Sequence, residues 1–236
     1  MFDPLLAEIQ NQGRQFTVYE GDEESGIPSQ FETHAVSVRQ EELPPGGPAP
    51  FVVIEQDGEF AGALPVDELQ KLIEPPIVRP GERTDVSEGF GVLFEVLDDT
   101  VFTAMNRKQL LAVSREIEDR ATRVRTGTLR TSFQNRSRLE PQIELYRYLA
   151  SHTDLDIHIY GIEPADASPI PGVTYHRGAQ LDRYWSLAFD GGDHESQSCA
   201  LVARETPNGY DGFWTYDPVL VDEILSTLAD CDDSSR

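Results

Sequence analysis

Arg115, Glu118 and Asp119 stand three and four residues apart in a stretch of helical periodicity, so one helix face carries all three. On a solvated surface such a set is an ion pair worth ~0.3–0.5 kcal/mol. Turned inward, the same side chains form a polar cluster lining a pocket. Trp185 and Trp214 alternate with polar neighbours as strand residues do. Either serves as core or as a stacking platform for a flat ligand. Gln134 and Tyr146 would add the few convergent polar groups that a pocket needs. Asp217, just before Pro218, completes this candidate ligand- or partner-binding set and is placed to cap a helix. His158 and His176 fall on the polar phases of two short strands, with Asp156 nearby, and these are metal-ligand side-chain types. Two strand histidines are ordinarily just half-exposed, and no metal is expected. Asp193-His194-Glu195 reads as a solvated loop.

Catalytic signatures are missing. There is no Gly-x-Ser-x-Gly elbow, no Gly-x-x-x-x-Gly-Lys phosphate loop and no His-Glu-x-x-His pair. No catalytic residue is assigned, and the expectation is a protein that is not an enzyme, with no cofactor identified. Cys199 lies in the apolar run Ser198 to Ala203 and reads as a core thiol, whereas Cys231 falls in the acidic run Asp230 to Asp233. Two cysteines at that spacing give neither a zinc site nor a disulfide framework.

The elements that must position these residues are legible from periodicity. Asp3 and Pro4 open a first helix, and a strand runs from Gln15 to Glu20. A second short strand is expected over His34 to Val38, then a Pro-Pro-Gly-Gly-Pro-Ala-Pro loop. Phe51 to Ala63 reads as a hairpin about Asp57-Gly58, followed by a helix over Val66 to Ile73. Pro75 to Glu88 reads as a linker. A similar unit then recurs: Val92 to Phe94, a turn at Asp98-Asp99, Val101 to Thr103, and a helix from Arg107 to Arg123. Asn106 and Gln109 form a capping box for that helix, and Leu110, Val113, Ile117, Ala121 and Val124 its apolar stripe. Ser114 is placed to bond back to the carbonyl of Leu110. Strands are expected at Thr128–Phe133, Leu155–Tyr160, Val173–His176, Tyr184–Asp190, Gln197–Arg204 and Tyr210–Tyr216, with a helix opened by Pro141 and another after Asp217-Pro218. The fold class is mixed α/β: a central mixed or antiparallel sheet with packed helices, C-terminal hairpins and a closing helix. Domain boundaries are expected at 1–88, 89–230 and an acidic tail over 231–236.

Composition narrows the class. The 236 residues carry 42 Asp and Glu against 19 Lys and Arg, a net charge of −23. Such a field repels nucleic-acid phosphates and anionic lipid, so no direct nucleic-acid partner is expected. The arginines from Arg120 to Arg138 lack the pattern of a groove-reading helix. Lys71 and Lys108 are the lone lysines, and an acidic, lysine-poor surface suits a halophilic cell, where the Debye length falls to ~3 Å. The sequence contains no run of eighteen apolar residues and no basic-then-apolar leader, so a cytoplasmic protein without a membrane span is expected.

Residues 110–230 resemble the DICT family, a sensory domain found with diguanylate cyclases and two-component systems. Ser114-Arg115-Glu116-Ile117-Glu118-Asp119 is similar to the family's Ser-Arg-x-x-Glu-Asp opening. Phe133-Gln134 and Tyr146 to Ala150 resemble its Phe-Gln and Tyr-x-x-Leu-Ala elements, and Tyr210 to Asp217 its closing strand and cap. Arg183-Tyr184-Trp185 departs from the family's Glu-Trp pair by replacing the acid. The resemblance implies a sensory or scaffolding role, with an association with light responses. It also implies a protein partner such as a histidine kinase or a transcription regulator. The leading expectation is thus a stand-alone regulatory domain that binds a small ligand, a partner protein, or both. Its rivals are a CBS-like nucleotide-binding module, suggested by the repeated hairpin and helix, and an enzyme with an unrecognised site.

Overall fold

A computed structural model describes residues 1–10, 14–21, 37–56, 58–68, 102–162 and 169–233. The expected strands at 92–94, the linker at 75–88 and most of the helix at 66–73 lie outside the described residues. The fold is mixed α/β, as expected, and the described strands form two sheets.

The first sheet holds β1 (Arg14–Glu20), β2 (Ser37–Glu42), β3 (Phe51–Gln56) and β4 (Glu59–Pro65) in the order β2-β1-β3-β4. β1 pairs with β2 in parallel and with β3 antiparallel. β3 and β4 form the expected hairpin, with Gly58 at φ +83°, a backbone region that suits glycine. β2 continues beyond the expected end at Val38. Residues 34–36 are not described, and pairing runs through Glu42 along β1. Phe16, Val18, Val52, Ile54 and Leu64 alternate inward and join the larger of two apolar cores.

The second sheet has seven strands: β5 (Phe102–Met105), β6 (Thr126–Ser132), β7 (Asp154–Tyr160), β8 (Val173–His176), β9 (Tyr184–Phe189), β10 (Cys199–Thr206) and β11 (Gly209–Thr215). Their order is β5-β11-β10-β9-β6-β7-β8. β6, β7 and β8 run in parallel; the remaining pairings are antiparallel. One face is covered by α2 (Arg107–Val124) and α4 (Ile143–His152), whose Leu110, Val113, Ile117, Tyr146 and Leu149 meet Leu129, Ile157, Leu187, Leu201 and Trp214. The opposite face is covered by α1 (Asp3–Gln10) and α5 (Pro218–Asp233). There Phe2, Leu5, Leu6, Ile9, Val221, Ile224 and Leu228 meet Tyr184, Ala188, Val202 and Phe213. Helices on both faces explain why Trp214 and Phe213, on opposite sides of β11, are both buried.

Local signals set the helix ends. Asn106 accepts from the Gln109 amide at 3.0 Å and donates its own amide to the Gln109 side chain at 2.9 Å, the expected capping box of α2. A 3-10 turn over Glu140–Gln142 leads into α4, with Pro141 inside it, and a short helix α3 (Arg136–Leu139) precedes the turn. α5 continues through Asp233 and buries Cys231 at 4% exposure, so the acidic run begins inside the helix rather than as a tail. No helix among the described residues is long and apolar enough to cross a membrane.

Candidate functional site

α2 is amphipathic in an unusual sense: its inward side carries charge as well as the apolar stripe. Ser114, Glu116, Glu118 and Arg120 are all buried. A buried carboxylate is costly unless it is paired and hydrogen-bonded. Glu118 meets both conditions. The Arg115 guanidinium donates through Nη1 to Glu118 and through Nη2 to Gln142. The Tyr146 hydroxyl donates to Glu118 Oε1 at 3.0 Å. Burial pushes the Glu118 carboxyl up from its ordinary value, against the pull of the adjacent Arg115 charge. Burial likewise pushes the Tyr146 hydroxyl well up, with the Glu118 charge adding. Arg115 Nε is buried and has no hydrogen-bond partner. One turn along, Arg120 donates to Glu116 Oε1 at 3.1 Å and lies 4.2 Å above the Tyr216 ring. Burial raises the Glu116 carboxyl, and it holds the Cys199 thiol protonated, with a pKa pushed up to about 12.

The Arg115 network reaches the surface through Gln142. That residue lines a narrow cleft between the start of α2, the end of β6 and the start of β9, together with Arg107, Ser132, Phe133, Gln134, Arg138 and Trp185. The enclosed space is about 10 Å³, room for about one water molecule. The Trp185 indole N–H donates to Ser114 Oγ at 3.1 Å, and Ser114 in turn donates to the Leu110 carbonyl at 2.9 Å, the back-bond expected for it. The Arg107 guanidinium sits 5.8 Å from the Trp185 ring centre, and Gln134 donates to Glu205 at 3.4 Å.

The structure thus brings Arg115, Glu118 and Tyr146 into one network and sets Gln134 and Trp185 in the adjoining cleft. Asp119 stands apart and pairs with Arg123. Trp214 is 2% exposed and packs in the core. Asp217 caps α5 by accepting the Val219 amide at 2.9 Å. Sequence reasoning missed Gln142, Arg107, Ser132 and Arg138. Only Gln142 carried a local hint, as the polar residue that enters α4. The two chemically suggestive histidines do meet, on β7 and β8, away from this cleft.

Where the resemblance expected an acid before Trp185, Arg183 and Tyr184 instead bind one from elsewhere. Asp3 accepts from Tyr184 at 2.8 Å, from Arg183 at 2.6 Å and from Arg204 at 3.0 Å. The acid arrives from the first turn of α1, 180 residues earlier than Arg183.

Comparison with known proteins adds three findings. No curated protein matches the chain. A solved structure, the polyphosphate kinase from Porphyromonas gingivalis, is 15% identical, with a TM-score of 0.37; the match covers 96% of this chain and 47% of that one. The chain therefore spans about half the length of that kinase, and a likeness of this degree gives neither a shared fold nor an activity. The third finding is a family match over residues 93–206, which begins earlier than the resemblance read from the sequence and stops before β11. It contains Arg115, Glu118, Gln134, Gln142, Tyr146 and Trp185, and over these residues the chain is similar to the DICT domain, the sensory domain in diguanylate cyclases and two-component systems.

Proposed function

We propose that the chain is a regulatory domain that senses a small planar anion in the cleft beside Trp185. It would pass occupancy to a separate signalling protein, a histidine kinase or a transcription regulator, in the cytoplasm. The observation that carries this reading is the Arg115–Glu118–Gln142–Tyr146 network ending in that cleft. The chain bears a charge of −23, yet Arg107 and Arg138 both line the cleft, Arg107 5.8 Å from the Trp185 ring centre and Arg138 paired with Glu205 at 3.8 Å. Guanidinium groups recognise carboxylate or phosphate, and the indole face suits a flat ring. The unbound cleft admits about one water, so a ligand must spread it, and the 3-10 turn carrying Gln142 would move with it. That movement would reach Arg115 and Glu118 through the Gln142 bond and so shift α2.

Thermal unfolding in the presence of benzoate or adenosine monophosphate tests the reading. A ligand at a hundred times its dissociation constant adds about 2.7 kcal/mol, a rise of ~5–10 °C for a protein of this size. The rise should vanish in Arg138→Ala and Gln134→Ala variants that keep the parent melting temperature. If neither probe moves the transition, or if both variants respond as the parent does, the cleft is not the ligand site.

A further inference from the structure

The cover on the second face of the seven-stranded sheet is made of two unlike pieces. α5 runs for 16 residues, whereas α1 has 8. A helix of two turns does not hold in water by itself, so α1 owes its helicity to the groove it fills. Phe2, Leu5, Leu6 and Ile9 are buried there, while Pro4, Ala7 and Glu8 face solvent. The buried four share one apolar cluster with Tyr184, Ala188 and Val202 of the sheet and with Val221, Ile224 and Leu228 of α5. The Phe2 ring meets the Tyr184 ring edge to face, with centroids 5.4 Å apart. Met1 Sδ lies 3.6 Å from Cys231 Sγ of α5.

Polar groups set the position of α1 in the groove. Asp3 accepts from Tyr184, Arg183 and Arg204, and Arg204 also pairs with Asp211 at 3.6 Å. In a chain of net charge −23, two arginines at the mouth of one groove mark it for an acid. That anchor stays open to water, with side-chain exposures of 41% at Asp3, 54% at Arg183 and 34% at Arg204, so it selects without holding strongly. The gain from burying the four apolar side chains is of the same size as the cost of ordering the helix. α1 is therefore docked by a narrow margin. It also comes from outside the residues similar to the DICT domain. Residues 93–206 supply Arg183, Tyr184 and Arg204 but neither α1 nor α5.

Resting on the reading that the chain acts on a separate signalling protein, we propose that this groove is where a helix of that protein docks. α1 is the chain's own occupant, and the partner helix displaces it. The sequence of α1 states what fits: an acid in the first turn, an aromatic residue just before it, and leucine or isoleucine two, three and six positions after it. The groove lies on the face of the sheet opposite α2 and the cleft, so partner and ligand do not compete for the same residues.

The test uses the full-length chain and the two thiols it already carries. Cys231 is 4% exposed beside Met1, and Cys199 is 1% exposed in the other apolar core. Leu6→Asp forces a charge into the groove and should expel α1. Alkylation of Cys231 by N-ethylmaleimide should then quicken about tenfold or more, while Cys199 stays unmodified. A synthetic peptide of residues 1–10, at about 1 mM to match the effective concentration of a short tether, should restore the parent rate. The same peptide carrying Asp3→Arg should not, since it sets another cation against Arg183 and Arg204. Asp3→Arg in the chain itself frees α1 without placing a charge in the apolar cluster, and it should respond to the parent peptide in the same way. Cys231 as slow in both variants as in the parent, or a parent peptide that restores nothing, would overturn the proposal. So would Cys199 alkylated in step with Cys231 in both variants, which would make α1 an inseparable part of the core. A parent that sediments as a dimer while Leu6→Asp sediments as a monomer would assign the groove to α1 of a second copy and overturn the choice of partner. No readout involves the cleft or its ligand, so failure here and failure of the cleft reading are told apart.

Discussion

The two faces of the seven-stranded sheet are covered by helices of opposite character. On one side α1 and α5 present Phe2, Leu5, Leu6, Ile9, Val221, Ile224 and Leu228, an apolar cover. On the other side α2 combines a comparable stripe with buried Ser114, Glu116, Glu118 and Arg120. Burying apolar surface needs no charge, and an ion pair moved out of water commonly breaks even or loses against hydrocarbon of the same shape. Stability alone therefore accounts for α1 and α5 and leaves the α2 carboxylates unexplained. Their arrangement, ending at Gln142 in the cleft, is what a responsive site needs. Small movements of paired groups in a low-dielectric setting carry large energies.

The comparison breaks most visibly at Glu118. Glu118→Ala leaves the Arg115 charge and the Tyr146 hydroxyl buried without their shared acceptor, and it should cost ~3–5 kcal/mol in denaturant titrations. On the apolar face, Ile224→Ala removes only hydrocarbon and leaves a cavity, at ~2–5 kcal/mol. The informative quantity is the response to salt. Screening by concentrated potassium chloride should change the cost of Glu118→Ala little, because the pair is buried, and the cost of Ile224→Ala less still. A Glu118→Ala cost below 1 kcal/mol would mean that water reaches the network and that the two faces do not differ as argued.

A smaller effect belongs to the polar anchor of the apolar cover. Asp3 gathers Tyr184, Arg183 and Arg204 at the start of α1, but its side chain is 41% exposed. Asp3→Ala should therefore cost only ~1 kcal/mol, the upper range for exposed pairs. The Tyr184 hydrogen bond, with the Arg204 bond and the two arginine charges, holds the Asp3 carboxyl below its usual range against partial desolvation. The anchor is thus in place above the unfolded-state value of 3.8 and is lost as pH falls through the lowered folded-state value. Acid unfolding of Asp3→Ala should show a correspondingly shallower loss of stability below pH 4.

These two regions also differ in how far the sequence announces them. Short-range signals were legible: the Asn106 capping box, the Leu110–Ile117 stripe, the alternation of β7, and the back-bond of Ser114 all follow from spacings of four residues or fewer. The pairing of His158 with His176 was legible too, because both lie on the polar phase of short strands. The Asp3 anchor was not, since nothing local links a first helical turn to Arg183 and Arg204. Strand order was hidden for the same reason: the tight turn between β10 and β11 announces their pairing, but no turn announces that β11 also pairs with β5, far back in the chain. For the cleft, periodicity placed Arg115, Glu118 and Asp119 on one face. It could not say that Asp119 turns to Arg123 while Arg115 turns to Gln142, a residue 27 positions away.

The comparison sharpens most at the smallest expected change in stability. Replacing both partners at once, Arg115→Met with Glu118→Leu, exchanges the ion pair for hydrocarbon of similar volume beside Tyr146. Removing both charges avoids the penalty of stranding one, so the double variant should unfold within about 1 kcal/mol of the parent. The Tyr146 hydroxyl loses its acceptor in that variant, and Tyr146→Phe added to the pair should recover whatever small loss remains. The α2 face would then match the α5 face in character and should be as stable as before. What it should lose is the coupling: benzoate or adenosine monophosphate would still raise the melting temperature through Arg138, but would no longer change amide exchange along α2, because Gln142 would have no guanidinium to transmit to. A double variant that is both stable and fully responsive would show that the buried charges serve packing specificity alone. A stable and unresponsive one separates the two roles, which no single substitution at Arg115 or Glu118 can do, since each strands a buried charge and so destabilises as it uncouples.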